Sequence, residues 1–372
     1  MTPAVKATAR ADASMVQDRY RDAGVDTDEA DAGLSKLTRR ITATWPPAGG
    51  FGAVKLDIGY FANVIDVGGQ GIAITTDGIG SKAMIATMLG KYDTVGIDCV
   101  AMNVNDVLCV GARPVALVDY VALEESTPEM LGPLGQGLAR GCELAGVTCP
   151  GGELAQVREM LRGVHPGRAV DLVGTAIGTV ALDRVLTGDA VRSGDVLLGL
   201  ESSGLHSNGF TLARHALLGE GRLALDAHVP ELGTTLADEL LRPTRIYVKP
   251  VLAVLEAGLP VHALAHITGD GLFNLVRTAR PVGFDIERWP EPKPIFSLVQ
   301  KLGGVPTAEM YRAFNMGVGF ALVVAPDGAD AARRSLEAAG ETVHVLGTAV
   351  EDPELTIRFR PRGLTGRSGR FS

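Results

Sequence analysis

Residues 73–82 read AITTDGIGSK: an apolar run stops at an aspartate, and two glycines and a lysine follow. An acid at the end of a buried strand, beside backbone opened by glycine, suits a hard cation or a phosphate, although Asp-Gly is also an ordinary turn pair. More acids and amides stand at the edges of apolar runs: Asp98, Asn103, Asn105 and Asp106 in VGIDCVAMNVND, and Glu153 in CPGGELA. Mg²⁺ takes oxygen ligands, and on a nucleotide it takes one or two carboxylates plus phosphate oxygens. If Asp98 begins a helix, Asn105 and Asp106 lie about two turns on and share its face, so the three could point into one cleft. The alternative is that Asp98 caps the helix and the NVND residues end it.

Two further stretches carry polar groups on glycine-rich backbone. In SSGLHSNGF (202–210), Ser202, Ser203, His206, Ser207 and Asn208 offer donors and acceptors on a loop, or Ser207 or Asn208 simply caps the helix starting at Phe210 and His206 is a solvated turn residue. In AHITGDGLFN (265–274), glycines mark a strand-to-helix junction, where open backbone N–H groups favour a phosphate. The chain has no G-x-x-x-x-G-K-[ST], no G-x-G-x-x-G and no G-x-S-x-G. A P-loop, a dinucleotide fingerprint and a serine-hydrolase elbow are therefore excluded.

The elements that must hold these groups are legible as short apolar runs punctuated by glycine. Strands are expected at 71–76, 114–123, 171–182, 195–200 and 317–325. A helix is expected over 127–146, where Leu131, Leu134, Leu138, Cys142 and Ala145 recur at spacings of three and four, and another over 327–339, followed by the strand ETVHVLGTAV. With 372 residues, two domains are expected, and the polar connection after 182 is the best boundary. The expected division is a flexible N-terminus (1–17), an N-terminal domain (18–182), a C-terminal domain (183–357) and a flexible basic tail (358–372).

Composition narrows the partners. A net charge of −8 argues against a nucleic-acid binder, which needs clustered Lys and Arg. No run approaches the ~18 apolar residues of a membrane span, and the N-terminus lacks the apolar core of a signal peptide, so a cytoplasmic protein without membrane contact is expected. Cys99, Cys109, Cys142 and Cys149 form no C-x-x-C pair and sit in apolar stretches, which points to free thiols and no zinc.

Taken together and in order, YRDAGVD (20–26), GGFGA (49–53), TTDGIGSK (75–82), YDTVGIDCVAMNVNDVLCVGARP (92–114), GGE (151–153), SSGLHSNGF (202–210), PTRIYVKPVL (243–252), AHITGDGL (265–272) and AEMYRAFNMGVG (308–319) resemble the aminoimidazole ribonucleotide synthetase family, the phosphoribosylformylglycinamidine cyclo-ligases of purine synthesis. The resemblance implies an α/β (α+β) fold of two domains, with N-terminal strands forming a barrel across a homodimer interface and a C-terminal α/β sandwich. It implies ATP and Mg²⁺ as cofactors and formylglycinamidine ribonucleotide as the small-molecule substrate, closed to aminoimidazole ribonucleotide with release of ADP and phosphate. By the same resemblance, Asp77, Asp98, Asp106 and Glu153 would hold the metal. Gly50, Gly52, Asp77, Gly78, Gly80, Lys82, Asn105, Thr268, Gly269 and Gly271 would hold ATP and its phosphates. His206, Asn208 and Lys82 would serve catalysis.

Three positions depart from the family pattern: Arg21 replaces a common Lys, Leu154 replaces a hydroxyl residue after GGE, and Asp270 interrupts a glycine triplet. Sister families on the same scaffold would keep ATP and change the acceptor. A thiamine phosphate kinase-like enzyme is one alternative, and a nucleotide-binding regulatory module without turnover is another. Selenophosphate synthetase-like and hydrogenase-maturation relatives fit less well, because no cysteine stands near either terminus.

Overall fold

The computed structural model describes residues 27–219 and 222–372, the first six as backbone, so Arg21 and the expected flexible segment 1–17 lie outside the described residues. Helix α1 (Thr27–Thr42) leads to a hairpin of β1 (Asn63–Val67) and β2 (Gln70–Gly78). Helices α2 (Lys82–Leu89) and α3 (Asp93–Cys109), strand β3 (Arg113–Leu123), helix α4 (Pro128–Ala145), and strands β4 (Gly152–Gln156) and β5 (Val170–Ala181) follow. The five strands form one sheet in the order β1-β2-β5-β3-β4, antiparallel except for the β3/β4 pair.

Alternation sets the two faces of this sheet. Ala73 of β2, Leu117 and Val121 of β3, and Leu172 and Ala176 of β5 are buried on the face covered by α3, against which α4 packs in turn. Their neighbours Ile74, Val118, Tyr120 and Ile177 point the other way and are exposed. Glycine lets the helices close onto the sheet and onto each other. A Cβ at Gly174 would come within 2.6 Å of Asn103 Nδ2, and one at Gly137 would overlap the Asp93 carbonyl, so α3 sits closer to β5 and α4 than any larger residue allows.

The second half begins with β6 (Val196–Glu201) and α5 (Phe210–Leu217). A two-residue ladder of β7 (His228–Val229) and β8 (Thr234–Thr235) leads into α6 (Leu236–Leu240), α7 (Val248–Glu256) and β9 (Val261–His266). A 3₁₀ turn over Gly271–Val276, β10 (Val282–Ile286), α8 (Pro294–Gly303), α9 (Thr307–Ala313), β11 (Val318–Val324), α10 (Ala329–Ala338) and β12 (Val343–Glu351) come next. Strands β13 (Ile357–Phe359), β14 (Leu364–Arg367) and β15 (Arg370–Phe371) close the chain. The eight longer-range strands pair in the order β15-β14-β13-β10-β12-β6-β11-β9, with every residue of β11 buried. Among the described residues, no helix is long and apolar enough to cross a membrane.

The expected flexible tail past residue 357 is overturned. Ile357 and Phe359 are fully buried, and the Phe371 ring lies 4.7 Å from that of Phe273. Arginines occupy the outward positions of these strands and mask a period-two pattern whose inward residues complete the sheet edge.

Candidate functional site

The site is organised by one helix. Asn103 of α3 clamps the backbone of Asp77: its Oδ1 accepts the Asp77 N–H at 2.9 Å, and its Nδ2 donates to the Asp77 carbonyl at 3.0 Å. One turn further along α3, Asp106 Oδ1 lies 2.8 Å from Nδ1 of His266, the last residue of β9. Thus α3 gathers the end of a strand from each half of the molecule and brings the Asp77 and Asp106 charges near enough to interact, with His266 held against Asp106. His266 is fully buried, and its Nε2 has no hydrogen-bond partner.

The electrostatics of the pair follow from this crowding. Burial first, and the nearby Asp106 charge second, push the Asp77 carboxyl up to about 6, against the opposing pull of the Gly78 N–H, 2.7 Å from Asp77 Oδ1, and of His266. Two carboxylates held together at partial burial are relieved by a cation between them. Their donors are all oxygen, so the pair fits Mg²⁺ and not a softer metal. Among the described residues, no group of three or more His, Cys, Asp or Glu side chains converges on a ready metal site. A cation here would therefore complete its shell with phosphate oxygens and water, as Mg²⁺ does on nucleotides.

Beside Asp106 opens a cavity of about 310 Å³, lined by Tyr60, Thr75, Thr76 and Arg277 among others. Arg277 lies 5.1 Å over the Phe61 ring and is paired with Asp270. The acid that interrupts the glycine triplet is therefore neutralised by Arg277.

Several residues expected at this site serve elsewhere. Asp98 does not begin α3; it lies in its middle, fully buried, with Oδ2 2.7 Å from Lys82 Nζ. Asp98 Oδ1 accepts from the Thr244 N–H at 2.7 Å and from its hydroxyl at 2.6 Å. Lys82 also donates to the carbonyls of His206 at 3.0 Å and Arg242 at 2.8 Å, so its three donors are used. Burial pulls its pKa down, and Asp98 holds it up. Neither residue has an atom to offer a metal, a phosphate or a substrate. Asn105 is likewise buried, donating to the Arg245 carbonyl at 2.9 Å and accepting the Tyr247 N–H at 3.0 Å. The shared face of Asp98 and Asn105 exists, but it grips the 244–247 segment.

His206 is neither a solvated turn residue nor exposed to a substrate. It takes a positive φ of 63°, is buried, and accepts the Ser203 N–H on Nε2 at 3.2 Å. Burial, with His266 next in effect, drives its pKa well below the usual imidazole range, so it is neutral and latches its own loop. Asn208 is half-buried, with its amide 3.9 Å from Met102 Sδ; a Cβ at Gly269 would lie 3.4 Å from Asn208 Oδ1. The SSGLHSNGF and HITGDG loops thus meet at Asn208.

The glycines divide the same way. Gly78 and Gly80 follow Asp77 directly, with Gly80 at φ 55° ahead of α2. Gly50 and Gly52 do not join them: their N–H groups are bound to the Pro47 and Asp66 carbonyls, at 3.2 and 2.7 Å. Asp66 pairs with Gly71, six residues from Asp77 along β2, or about 20 Å. Thr268 and Gly269 are accessible at the end of β9, while Gly271 is buried and opens a 3₁₀ turn of six residues in place of the helix expected at this junction. Glu153 stands on β4, three strands from β2 and about 14 Å from Asp77, on the rim of a separate 360 Å³ cavity with Asp119, Cys149 and Leu154.

Three residues escaped the sequence reading. His266 and Arg277 become part of the site only through contacts across the two halves. Asp119 carries a visible signal, a lone acid inside the apolar run PVALVDYVAL; it pairs across the sheet with Gly174, as Asp77 does, and burial raises its pKa.

In metal-free protein, folded Asp77 binds its proton more tightly than unfolded Asp77, so between about pH 4 and pH 6 the folded state holds more protons. Stability contributed by protonated Asp77 is present at the low end of this window and is lost as pH rises through it, on the order of 2–3 kcal/mol. Urea denaturation with chelator across this window should show that fall, and Asp77→Asn should flatten it; an unchanged slope in the variant would remove Asp77 as its source.

The first half of the chain, residues 59–180, matches the family described as AIR synthase related protein, N-terminal domain, and residues 192–360 match AIR synthase related protein, C-terminal domain. A curated phosphoribosylformylglycinamidine cyclo-ligase of Methanothermobacter thermautotrophicus is 46% identical over 332 residues, covering 89% of this chain and 94% of that protein. One from Pyrococcus furiosus is 42% identical, covering 91% and 97%. Among solved structures, a Thermus thermophilus protein superposes with a TM-score of 0.60 at 21% identity, over 87% of this chain and 95% of its own. The hydrogenase maturation protein HypE in complex with ATP superposes with a TM-score of 0.56 at 20% identity, over 80% and 84%.

Proposed function

The chain belongs to the phosphoribosylformylglycinamidine cyclo-ligase family of AIR synthase related proteins, and from that we propose that it closes formylglycinamidine ribonucleotide to aminoimidazole ribonucleotide at the Asp77/Asp106 site, with ATP and Mg²⁺. The observation that carries this reading is the interacting pair of partly buried acids at the junction of the two halves. When bound, Mg²⁺-ATP supplies the phosphoryl group that turns the formamide oxygen into a leaving group. Asp77 and Asp106 would hold the cation, with Asp77 kept in place by the Asn103 clamp on its backbone. Gly80, at φ 55°, gives open backbone beside the acids, and Arg277, paired with Asp270, lines the adjoining cavity. Asn208, Thr268 and Gly269 stand where the two loops meet and would orient the ribonucleotide. His266 and His206 each keep one unpartnered ring nitrogen, and it is the direct contact of His266 Nδ1 with Asp106 that makes it a better candidate than His206 for moving a proton near the acids.

Incubation with ATP, Mg²⁺ and formylglycinamidine ribonucleotide should yield ADP and aminoimidazole ribonucleotide in equal amounts, with no need for glutamine. Asp106→Asn should lower kcat by about 10²-fold or more while the protein stays folded by circular dichroism. ADP formed at full rate with thiamine phosphate in place of the ribonucleotide would refute the assignment and favour the kinase-like alternative.

The same reading includes a homodimer. Ile74, Val118, Tyr120 and Ile177 make an apolar, solvent-facing surface on the five-stranded sheet, the face the family would pair across a two-fold axis. Light scattering at micromolar concentration should give twice the chain mass, and Val118→Asp with Tyr120→Asp should give the single mass. A monomer in the unmodified protein would contradict this arrangement.

A further inference from the structure

A cleft of about 630 Å³ lies between the start of α7, the segment after β6 and the flank of α3 and α4, and no role has been given to it above. Arg242, Arg245, Lys249 and Lys293 line it, against one lining carboxylate, Glu201. The basic groups are braced from outside. Arg242 is held 2.7 Å from Glu239 and Arg245 2.8 Å from Glu341, while Lys249 donates to the Glu143 carbonyl at 3.0 Å. Glu201 is shared between His344 at 2.9 Å and Lys293 at 4.0 Å. Two further features face the same space. The N-terminus of α7, a helix of nine residues, opens onto it, and the Ser202 hydroxyl, on a lining residue that is 1% exposed, has no hydrogen-bond partner.

We infer that this cleft binds a phosphomonoester. Such a group carries close to two negative charges and three acceptor oxygens, and it matches four basic side chains that outnumber the three carboxylates paired with them, a helix N-terminus and a spare hydroxyl. A carboxylate ligand would leave most of these donors unused. The cleft is also apart from the acids. Ile97 on its wall and Asp106 are nine residues apart on α3, about 14 Å along the helix. The acids repel a lone phosphate unless a cation intervenes, whereas this cleft needs none. The phosphomonoester has two possible sources, the ribose phosphate of the substrate named under the proposed function or a separate sugar phosphate acting as an effector. The first source rests on that functional reading, and the binding itself does not.

The test is calorimetric titration of the whole chain with ribose 5-phosphate, with ribose as the uncharged comparison. Lys249→Ala with Lys293→Ala should raise the dissociation constant at least tenfold, and both lysines are exposed enough that the variant should fold. Lys301→Ala, a charge loss outside the cleft, should leave it unchanged. Absence of ribose 5-phosphate binding, equal affinity in the double variant, or ribose binding as well as its phosphate would each overturn the inference. In turnover assays, a raised KM for formylglycinamidine ribonucleotide with an unchanged KM for ATP identifies the substrate's phosphate as the occupant. Unchanged KM values, with loss of any response of turnover to added ribose 5-phosphate, identify an effector. A chain that binds ribose 5-phosphate through these lysines but does not turn over the ribonucleotide refutes the proposed reaction and leaves the phosphate cleft standing.

Discussion

The ion pair of Lys82 and Asp98 is the constraint on which the rest of the arrangement depends. Both side chains are fully buried, and a buried pair with an open valence is costly enough that every remaining donor and acceptor must be met. They are met by the second half of the chain: Thr244 gives two hydrogen bonds to Asp98, and the carbonyls of His206 and Arg242 take two from Lys82. The pair therefore fastens α2 and α3 of the first half to the SSGLHSNGF loop and the 242–247 segment of the second. Asn105 adds two more ties from α3 to that segment. With α3 seated in this way, its far end can carry Asn103 to the backbone of Asp77 and Asp106 to His266, and the two acids come near enough to interact. Residues that resemble site ligands in the sequence are thus the frame that aims them.

This frame also explains which parts of the site were legible. The strand ending in TTDG and the junction at AHIT follow from apolar runs and glycine punctuation, which place Asp77 at a strand end; the helix carrying Asp106 is legible only as one that could begin at Asp98, and it begins five residues earlier, at Asp93. The sequence could not separate Asp98 from Asp106. Both are acids on one helix, and their difference lies in partners that come from distant parts of the chain, Lys82 and Thr244 for one and His266 for the other. His206 misled in the opposite direction, because a glycine-flanked SSGLHSNG stretch reads as an exposed loop while its imidazole packs inward beside Tyr247. Glu153 stood at a strand edge as Asp77 did, and only the strand order β2-β5-β3-β4 sets them apart. In the tail, arginines at outward positions concealed the inward Ile357 and Phe359.

The same separation of frame from site bears on the departures from the family pattern. Asp270 brings its own counter-ion in Arg277, so its charge is not left facing the acids. Leu154 lies with Glu153 and Asp119 at the other cavity, away from Asp77 and Asp106, so the loss of a hydroxyl there leaves the acid pair intact. The groups with an open valence near the acid pair are the two carboxylates, the unpartnered ring nitrogens of His266 and His206, and the polar ends of the loops that meet at Asn208.

The central claim is that Lys82 and Asp98 build the site without touching metal, nucleotide or substrate. The most direct measurement is turnover per folded molecule of the double variant Lys82→Met with Asp98→Asn, which removes both charges, nearly preserves volume and leaves an acceptor for Thr244. The account predicts a folded protein whose kcat and Mg²⁺ dependence stay within about tenfold of the unmodified chain, while Asp98→Ala alone loses about 3–5 kcal/mol of stability by stranding the buried ammonium. A double variant that folds with unchanged stability yet loses turnover by about a thousandfold would show that one of these charges acts in the chemistry, and would contradict the account.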